Sequence, residues 1–480
     1  MGNVGVIMIR IAWLAVFLAL PAAAWATDWY VSPTGSDANP GTLASPFRQI
    51  SKAISVVAAG DTVYIADGAY NGALVISKTG TALAPIVFKA QGAGCVVSPG
   101  GTDTIFITFS SYVTLDGINS SNATRAAVRI DSSDHITVKN GVYGNNATWG
   151  IFTDFSDYVL LEGNECFNSG TQHGIYHSNS GDYPTIRGNK LHDNFACGLH
   201  MNGDISMGGD GMISYALVEN NVIYNNGVGG GSGINGDGVR DSTIRNNILT
   251  NNHASGISLY QIDAGGPAIN NVVCNNTVDQ ASDGRWCLNM VNGAANTVVF
   301  NNVFLTHHVS RGSLHFQSAA DLAGLTCNYN ILTTIANCVT TDDDATYKTF
   351  AQWQALGYDA NSTTSAQAAV FVDWTTGDFH LKAGSPAIDS GIWGVAGKSA
   401  PTTDYEAGLR PTDLGYDKGA DEYNAVGGSG GGGGGGPPPA SSGGGGGGRH
   451  GGCGLTGMEV PLLLGLLISL RTMQRRRQSL

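Results

Sequence analysis

Polar and aromatic side chains recur at two fixed positions within a series of short apolar segments in the middle of the chain. An apolar residue opens each segment, namely Ile175, Leu199, Ile234, Ile257 and Leu288. Side chains alternate between the two faces of a β-strand, so if these residues point into a core, their neighbours point outward. The two outward rows then read Tyr176, His200, Asn235, Ser258, Asn289 and Ser178, Asn202, Asp237, Tyr260, Val291. The pattern predicts one face on which groups able to transfer protons lie a few strand spacings apart, at about 4.8 Å each.

Charged residues are concentrated in the loops beside this face, and they are Asp182, Asp204, Asp210, Arg240, Asp241 and Asp263. Two of them lie in a Gly-rich insertion within the 32-residue stretch from Asn189 to Asn221. Insertions on one side of a repeat protein often mark its binding side. A walled groove of this kind suits an extended polysaccharide, and we expect contacts to the substrate from Tyr176, Asn202, Asn235, Arg240 and Asp263.

Two chemistries fit such a groove. Elimination on a uronic acid requires a group that neutralises the carboxylate, a base for the C5 proton and an acid for the leaving oxygen. Arg240 would neutralise the carboxylate, or else a Ca²⁺ ion bound by oxygen ligands, for which the candidates are Asp204, Asp210 and Asp241. His200 would be the base, because histidine titrates near neutrality, and Tyr260 would be the acid.

Hydrolysis instead requires a pair of carboxylates, and the best candidates are Asp237 with Asp263 or Asp241. Each candidate also has a plain structural interpretation. His200 can be a solvated surface histidine, and Asp237 can shape a turn, since Gly238 follows it. A non-catalytic carbohydrate-binding or adhesive surface protein would use the same face, so the sequence leaves cleavage and binding open.

Three further histidines are weaker candidates. The alternation of side chains places His177 toward the core. His173 precedes its strand, and His192 occupies a corner position, where a structural role is expected. Lys190 is the only lysine between residues 140 and 305, and it belongs to another face. The groove therefore has no lysine to serve as a base.

An asparagine followed by apolar residues repeats along the chain, at Asn140, Asn164, Asn189, Asn221, Asn247, Asn271, Asn302 and Asn330. Its spacings are 24, 25, 32, 26, 24, 31 and 28 residues. Each repeat holds three short strand patterns, and no repeat can bury its apolar residues without its neighbours. We predict an all-β, right-handed parallel β-helix of about ten coils.

The asparagine rows and the ends of the solenoid have structural interpretations. Asparagine tolerates left-handed backbone at corners and can bond to the asparagine of the next coil, so we expect ladders. Exposed sheet edges need caps. Ser45 and Pro46 predict a helix start, and an amphipathic helix would follow with Phe47, Ile50, Ala53, Ile54 and Val57 on its apolar side.

The two ends of the chain predict export. Arg10, an apolar stretch and Ala24-Trp25-Ala26 form a signal-peptide pattern, so we expect the segments 1–26 (signal peptide), 27–335 (β-helix with its cap) and 336–425 (closing segment). A Gly/Pro/Ser-rich linker over 426–452 and an anchor or sorting segment over 453–480 follow. We expect a secreted monomer at the bacterial cell surface or outer membrane, with membrane contact only through the last segment.

The composition limits the classes of molecule that the protein can bind. Charged residues make up 13% of the chain and the net charge is −13, which argues against nucleic acid, because phosphate binding needs a basic surface.

Eight cysteines occur in a chain predicted to be exported. Cys166 falls in an inward row, where we expect a buried thiol. Cys327 and Cys338 can pair across one coil, and the sequence does not decide whether they do.

Two groups of motifs resemble a known family. Tyr30-Val31-Ser32-Pro33-Thr34-Gly35 with Gly60-Asp61-Thr62-Val63 resembles the opening of pectate-lyase-like β-helix proteins. The run from Gly384 to Asp389, with Arg410-Pro411 and Asp417 to Tyr423, is similar to bacterial surface proteins of the choice-of-anchor Q type. The resemblance implies the fold and surface attachment but leaves the chemistry open, because one fold hosts many functions.

Overall fold

The computed structural model describes residues 26–342 and 345–424. The predicted signal peptide up to residue 25, the Gly-rich linker, the anchor segment and Cys453 lie outside these residues. The described chain winds into three long sheets of twelve strands each, so each coil contributes one short strand to each sheet. The connections are right-handed, as expected for parallel crossovers. The all-β right-handed parallel β-helix is confirmed, with slightly more coils than the ten predicted.

The first sheet comprises Asp28–Val31, Thr62–Ile65, Ile86–Ala90, Ser111–Asp116, Asp134–Lys139, Leu160–Glu162, Thr185–Arg187, Leu217–Glu219, Thr243–Arg245, Val272–Cys274, Val298–Phe300 and Thr326–Asn328. The second comprises Gly68–Tyr70, Cys95–Val97, Asn119–Ser121, Val142–Gly144, Glu165–Phe167, Lys190–His192, Val222–Tyr224, Ile248–Thr250, Thr277–Gln280, Val303–Thr306, Ile331–Thr333 and Thr363–Ser365.

The third sheet carries the predicted groove. It comprises Leu74–Ile76, Ile105–Thr108, Ala126–Asp131, Trp149–Asp154, Ile175–Ser178, Leu199–Asn202, Ile234–Asp237, Ile257–Tyr260, Leu288–Met290, Leu314–Phe316, Val339–Thr341 and Thr346–Lys348. The last strand pairs antiparallel, whereas the others pair parallel. A separate ribbon pairs Ile213–Ser214 with Val239–Arg240 at the adjoining corner.

Strand register in the third sheet confirms the predicted alternation. Ile175 pairs with Leu199, and Leu199 pairs with Ile234. The strand before these three and the strand after them continue the same row of fully buried residues. The outward rows align as predicted, with Tyr176 beside His200, Asn235, Ser258 and Asn289, and with Ser178 beside Asn202, Asp237 and Tyr260.

A buried asparagine ladder follows the corner between the first and second sheets. Each side-chain Nδ2 donates to Oδ1 of the next rung at 2.9–3.1 Å, through Asn164, Asn189, Asn221, Asn247, Asn276, Asn302 and Asn330. Two predicted members were wrong. Asn140 lies one position before the ladder, with left-handed φ and a bond to Asp116. Asn271 occupies the preceding corner, where its Oδ1 accepts the Ser242 N–H, because its coil carries asparagine at both corners.

The N-terminal cap is a helix over Ile50–Val56. Its predicted start at Ser45 and Pro46 was wrong, because Phe47 forms a parallel bridge with Val31 and donates its N–H to the Tyr30 carbonyl. Strand pairing therefore delays the helix to an N-cap at Gln49. All five residues predicted for the apolar side are nevertheless buried.

Residues after 335 close the solenoid and then run back along its outside. A short helix, Phe350–Gln354, buries Trp353 completely against the core, and the Trp353 Nε1–H donates to Asp359 at 2.8 Å. The strands Val339–Thr341 and Thr363–Ser365 extend the sheets. The predicted boundary at residue 335 consequently falls inside the β-helix.

Residues 366–424 form an outer strap against the first and second sheets. The strap contains Gln367–Val370, Phe371–Asp373, Trp374–Thr376, Asp378–Leu381, Gly394–Val395 and Lys398–Ser399. Phe371, Phe379 and Leu381 pack on an apolar patch that includes Ile248 and Ile331. The strap is also fastened by hydrogen bonds from Asn246, Asn275 and Asn301 to its carbonyl groups.

All seven described cysteines are buried thiols, as predicted for Cys166. Cys327 and Cys338 are not joined; the Cys327 thiol instead donates to the Asp359 carboxylate at 3.0 Å.

Within residues 26–342 and 345–424, helices are all too short or too polar to cross a membrane.

Candidate functional site

Three strands of the third sheet and the loop before one of them bring four rings together in the middle of the outward face. His200 Nε2 lies 3.2 Å from the hydroxyl oxygen of Tyr260, and His200 Nδ1 lies 3.1 Å from Nε2 of His173. The Tyr176 ring lies 5.3 Å from the His200 ring, measured between centroids. The structure thus joins His200, Tyr260 and Tyr176, which the sequence nominated, and adds His173, which sequence reasoning had ranked low.

Burial makes the two histidines poor proton acceptors from solvent. It lowers the pKa of His200 to about 4. It also lowers the pKa of His173 well below its ordinary value, and the neighbouring His200 adds to that effect. Both rings are therefore neutral at pH 7, because desolvation disfavours the charged form of histidine.

Asn202 links the ring cluster to the acidic side of the groove. Its Nδ2 donates to the Tyr176 hydroxyl at 3.1 Å, and a hydrogen bond also connects it to Asp263. Burial raises the pKa of Asp263, the negative charge of Asp204 raises it further, and the bond from Asn202 opposes both effects. Two predicted substrate contacts and the loop carboxylate are consequently one connected group.

Asp237 serves the turn that carries Asp263. It is 1% exposed, and its carboxylate accepts the N–H groups of Ile262 and Asp263, both at 2.8 Å, and of Ala264 at 3.4 Å. Burial raises its pKa to about 6 despite these bonds. The geometry corresponds to the turn-shaping interpretation, since both oxygens are already occupied by the backbone.

Asn235 has a similar supporting position. It is 3% exposed, and its Oδ1 accepts the Ser232 N–H at 3.3 Å. It lies in the predicted outward row, between His200 and Ser258. Its amide holds the loop before the strand.

The three carboxylates expected to hold Ca²⁺ do not converge. Asp204 caps the short 3₁₀ helix Ile205–Met207 by accepting from Ser206. Asp210 pairs with Arg240 at 2.8 Å, and Asp241 accepts from Asn270 at another corner. Among the described residues, the only trio of metal-ligating side chains with mutually close donor atoms is His173, Cys197 and His200. The predicted oxygen set therefore does not fit a calcium cage.

The guanidinium of Arg240 makes hydrogen bonds to two different side chains. Its Nε–H donates to the Ser214 hydroxyl at 3.0 Å, while its Nη2 contacts Asp210. The guanidinium thus ties the insertion to the corner ribbon. A substrate carboxylate at this position would have to compete with Asp210.

Sequence reasoning missed a charged cluster on earlier coils of the same face. Arg129 lies 2.9 Å from Asp154 and 3.6 Å from Asp131, and its guanidinium lies over the rings of Phe106 and Phe152 at 5.1 and 5.3 Å. Burial raises the pKa of Asp154 to about 7, although Arg129 opposes the shift. The strand register continues the outward row from Tyr176 to these residues, so extending the row by two coils would have found them.

The sequence family described as Pel9A-like, right-handed beta helix region, matches residues 29–284. Pectate lyase PEL9 of Emericella nidulans is 41% identical over 87 residues, which is 18% of this chain and 21% of that protein. Uncharacterized protein YwoF of Bacillus subtilis is 34% identical over 127 residues, 23% of this chain and 27% of that protein. The chain therefore matches only about a fifth to a quarter of the length of these relatives.

Among solved structures, the crystal structure of pectate lyase Pel9A superposes on 83% of this chain and 96% of its own length. The TM-score is 0.58 and the sequence identity is 17%. At this identity the similarity concerns the fold.

Proposed function

This chain belongs to the Pel9A-like right-handed β-helix family, and from that premise we propose that it is an exported polysaccharide lyase. Its substrate would be a uronate-containing polysaccharide, lying along the outward face of the third sheet. The observation that carries the proposal is the contact of Tyr260 with His200 at 3.2 Å in the centre of that face. Export to the cell surface, predicted from the two ends of the chain, is part of the same proposal.

Elimination breaks the C5–H and C4–O4 bonds of the sugar and forms a C4–C5 double bond. One group must take the C5 proton and one must give a proton to O4. Tyr260 and His200 are in contact and both carry exchangeable protons. Tyr176 and Asn202 lie beside them and offer an aromatic ring and an amide for sugar binding.

The substrate carboxylate also needs neutralising. Arg240 would do this only by exchanging its contact with Asp210. Burial raises the pKa of Asp263; its protonated form would donate a hydrogen bond to the substrate carboxylate, whereas its ionised form would repel that carboxylate. Calcium dependence stays a prediction, because the three carboxylates expected to bind the ion are engaged at separate places.

The hydrogen bonds of the Asp237 carboxylate favour elimination over hydrolysis. A hydrolase needs two available carboxyl groups, whereas both oxygens of Asp237 accept backbone N–H groups. Of its two proposed partners, Asp241 lies at another corner, bonded to Asn270, and Asp263 belongs to the turn whose N–H groups Asp237 accepts.

The test is product analysis with the full-length protein on polygalacturonate, alginate and a neutral glucan, each with Ca²⁺ or a chelator. Unsaturated ends and total reducing ends are measured together. Tyr260→Phe removes one oxygen and should reduce unsaturated ends by about 100-fold or more, the usual scale for a lost proton-transfer group. Tyr347→Phe, at a half-exposed tyrosine on the last strand of the third sheet, is the matched control.

Three outcomes would contradict the proposal. Reducing ends without unsaturation would indicate a hydrolase. Binding without cleavage on every substrate would indicate the adhesive alternative. Unchanged elimination in Tyr260→Phe would place the chemistry elsewhere.

A further inference from the structure

We propose that His173 is a positioning residue that holds His200 in one tautomer, so that Tyr260, and not His200, exchanges protons with the substrate. This role of His173 deepens the proposed lyase function and rests on it. The tautomer itself follows from the hydrogen bonds of two neutral rings and does not depend on the lyase function.

The hydrogen bonds form a chain that begins at the backbone. The Cys197 N–H donates to Nδ1 of His173 at 3.1 Å. Nε2 of His173 lies 3.1 Å from Nδ1 of His200, and Nε2 of His200 lies 3.2 Å from the Tyr260 hydroxyl oxygen. Four groups on neighbouring coils are thus connected in one line.

The direction of this chain is determined by its first member. A backbone N–H can only donate, so Nδ1 of His173 must present a lone pair. A neutral imidazole carries one hydrogen, and that of His173 is therefore on Nε2, where it donates to Nδ1 of His200. The hydrogen of His200 is then on Nε2 and donates to the Tyr260 oxygen.

Both ring nitrogens of His200 are consequently used, and neither can accept the C5 proton. The Tyr260 oxygen receives a hydrogen bond from His200, which stabilises negative charge on it, and its own hydrogen is directed away from His200. In the exchange, the Tyr260 O–H proton passes to O4 as the C4–O4 bond breaks. The C5 proton passes to the Tyr260 oxygen as the C4–C5 double bond forms, so the phenol is neutral before and after.

A metal ion is the competing interpretation of these side chains. Donor atoms of His173, Cys197 and His200 lie within 4.8 Å of one another, and a His₂Cys set would suit zinc. Binding through Nε2 of His173 would, however, move the hydrogen to Nδ1, where it would face the Cys197 N–H donor. The first hydrogen bond of the chain therefore opposes metal binding.

The primary test is the tautomer of His200, read from long-range ¹H–¹⁵N correlations of histidine-labelled protein without substrate. Assignment uses the spectrum of His200→Gln. We expect the Nε2–H form in the wild type and a mixture in His173→Leu. His173→Gln should restore the Nε2–H form, because its amide can both accept from Cys197 and donate to His200.

Kinetics supply the second readout. We expect His173→Leu to lower kcat by about 10- to 100-fold, the usual effect of removing an orienting partner, with KM nearly unchanged. His173→Gln should recover most of the loss. If both variants fold and lower kcat equally while the tautomer is unaltered, His173 is merely structural and the inference is overturned.

Two further results would overturn it outright. One is an Nδ1–H tautomer of His200 in the wild type. The other is stoichiometric Zn²⁺ binding in calorimetry that Cys197→Ser abolishes. Failure of the lyase proposal is distinguishable, since absence of cleavage on any polysaccharide leaves the tautomer measurement intact and withdraws only the catalytic role of His173.

Discussion

The hydroxyl of Tyr260 lies 3.2 Å from Nε2 of His200, although the two residues are 60 positions apart in the chain. They sit in different outward rows on strands two coils apart. The contact therefore depends on the register of three strands at once. It also places the pair between the neutral His173 on one side and the acidic turn of Asp263 on the other.

The first prediction concerns the pH dependence of cleavage. Burial lowers the pKa of His200 to about 4, so the neutral ring persists far below pH 6.5. His173, Tyr176 and Tyr260 face it directly, with Asp237 and Asp263 on the adjoining strand and turn. We expect kcat to be retained on acidification until about pH 4 and to fall below it. A loss of kcat centred near pH 6.5, measured with a wide-range buffer, would contradict this assignment.

The second prediction concerns stability and His177, which is 1% exposed. Its ring bonds Thr153 at 2.6 Å and the Gly181 carbonyl at 2.9 Å, and burial lowers its pKa to about 4. The unfolded chain therefore binds this proton more tightly, and folding loses stability as the pH falls from 6.5 toward 4. By linkage the loss between pH 7 and pH 5 is about 2 kcal/mol.

His177→Gln should remove that pH-dependent term, because a glutamine does not titrate. The free energy of unfolding is measured by urea denaturation at pH 7 and pH 5 for both proteins. The difference between the variant and the wild type should move by about 2 kcal/mol in favour of the variant at pH 5. A difference that is independent of pH would show that His177 titrates normally.

The third prediction tests the asparagine ladder. Asn247→Ala removes the acceptor for the Asn221 N–H and the donor to Asn276, both within the buried corner. Leaving such groups unsatisfied costs about 1–3 kcal/mol each, so we expect a loss of roughly 2–4 kcal/mol. The control is Asn361→Ala, whose side chain is exposed. Equal urea midpoints for the two variants would show that the ladder does not stabilise the fold.

The fourth prediction separates a structural from a catalytic Asp237. Asp237→Ala releases three backbone N–H groups of the turn that carries Asp263. We expect a loss of about 1–3 kcal/mol in stability and a higher KM, with unsaturated ends still the product. Asp241→Ala, at an exposed corner, should change neither quantity. Complete loss of chemistry in a folded Asp237→Ala protein would restore its catalytic interpretation.

Strand alternation and the asparagine repeat predicted the fold and the position of the outward rows. Both are local patterns, so His200 and Tyr260 could be placed on one face from the sequence alone. Asn276 could not be distinguished from Asn271, because asparagine stands at two corners of that coil. The helix start was missed for a related reason, since pairing of Phe47 with Val31 outweighs the helix signal of Ser45 and Pro46.

The rest of the site depends on loops, whose paths no periodicity describes. His173 lies in the loop before its strand, and only the folded course of that loop brings it to His200. The same holds for Asp237, whose bonds are decided by the turn at residues 262–264. Arg129 is different, because the strand pattern does extend to it, two coils before Tyr176.

The outer strap decides where the chain leaves the solenoid. Gly419 and Ala420 donate their N–H groups to Asn301 and Thr277, so Asn424 departs from the flank of the coils and not from the tip closed by Trp353. A force applied at this exit would act across the long axis of the coils and would shear the hydrogen bonds of the strap. It would not unwind the coils one at a time from an end.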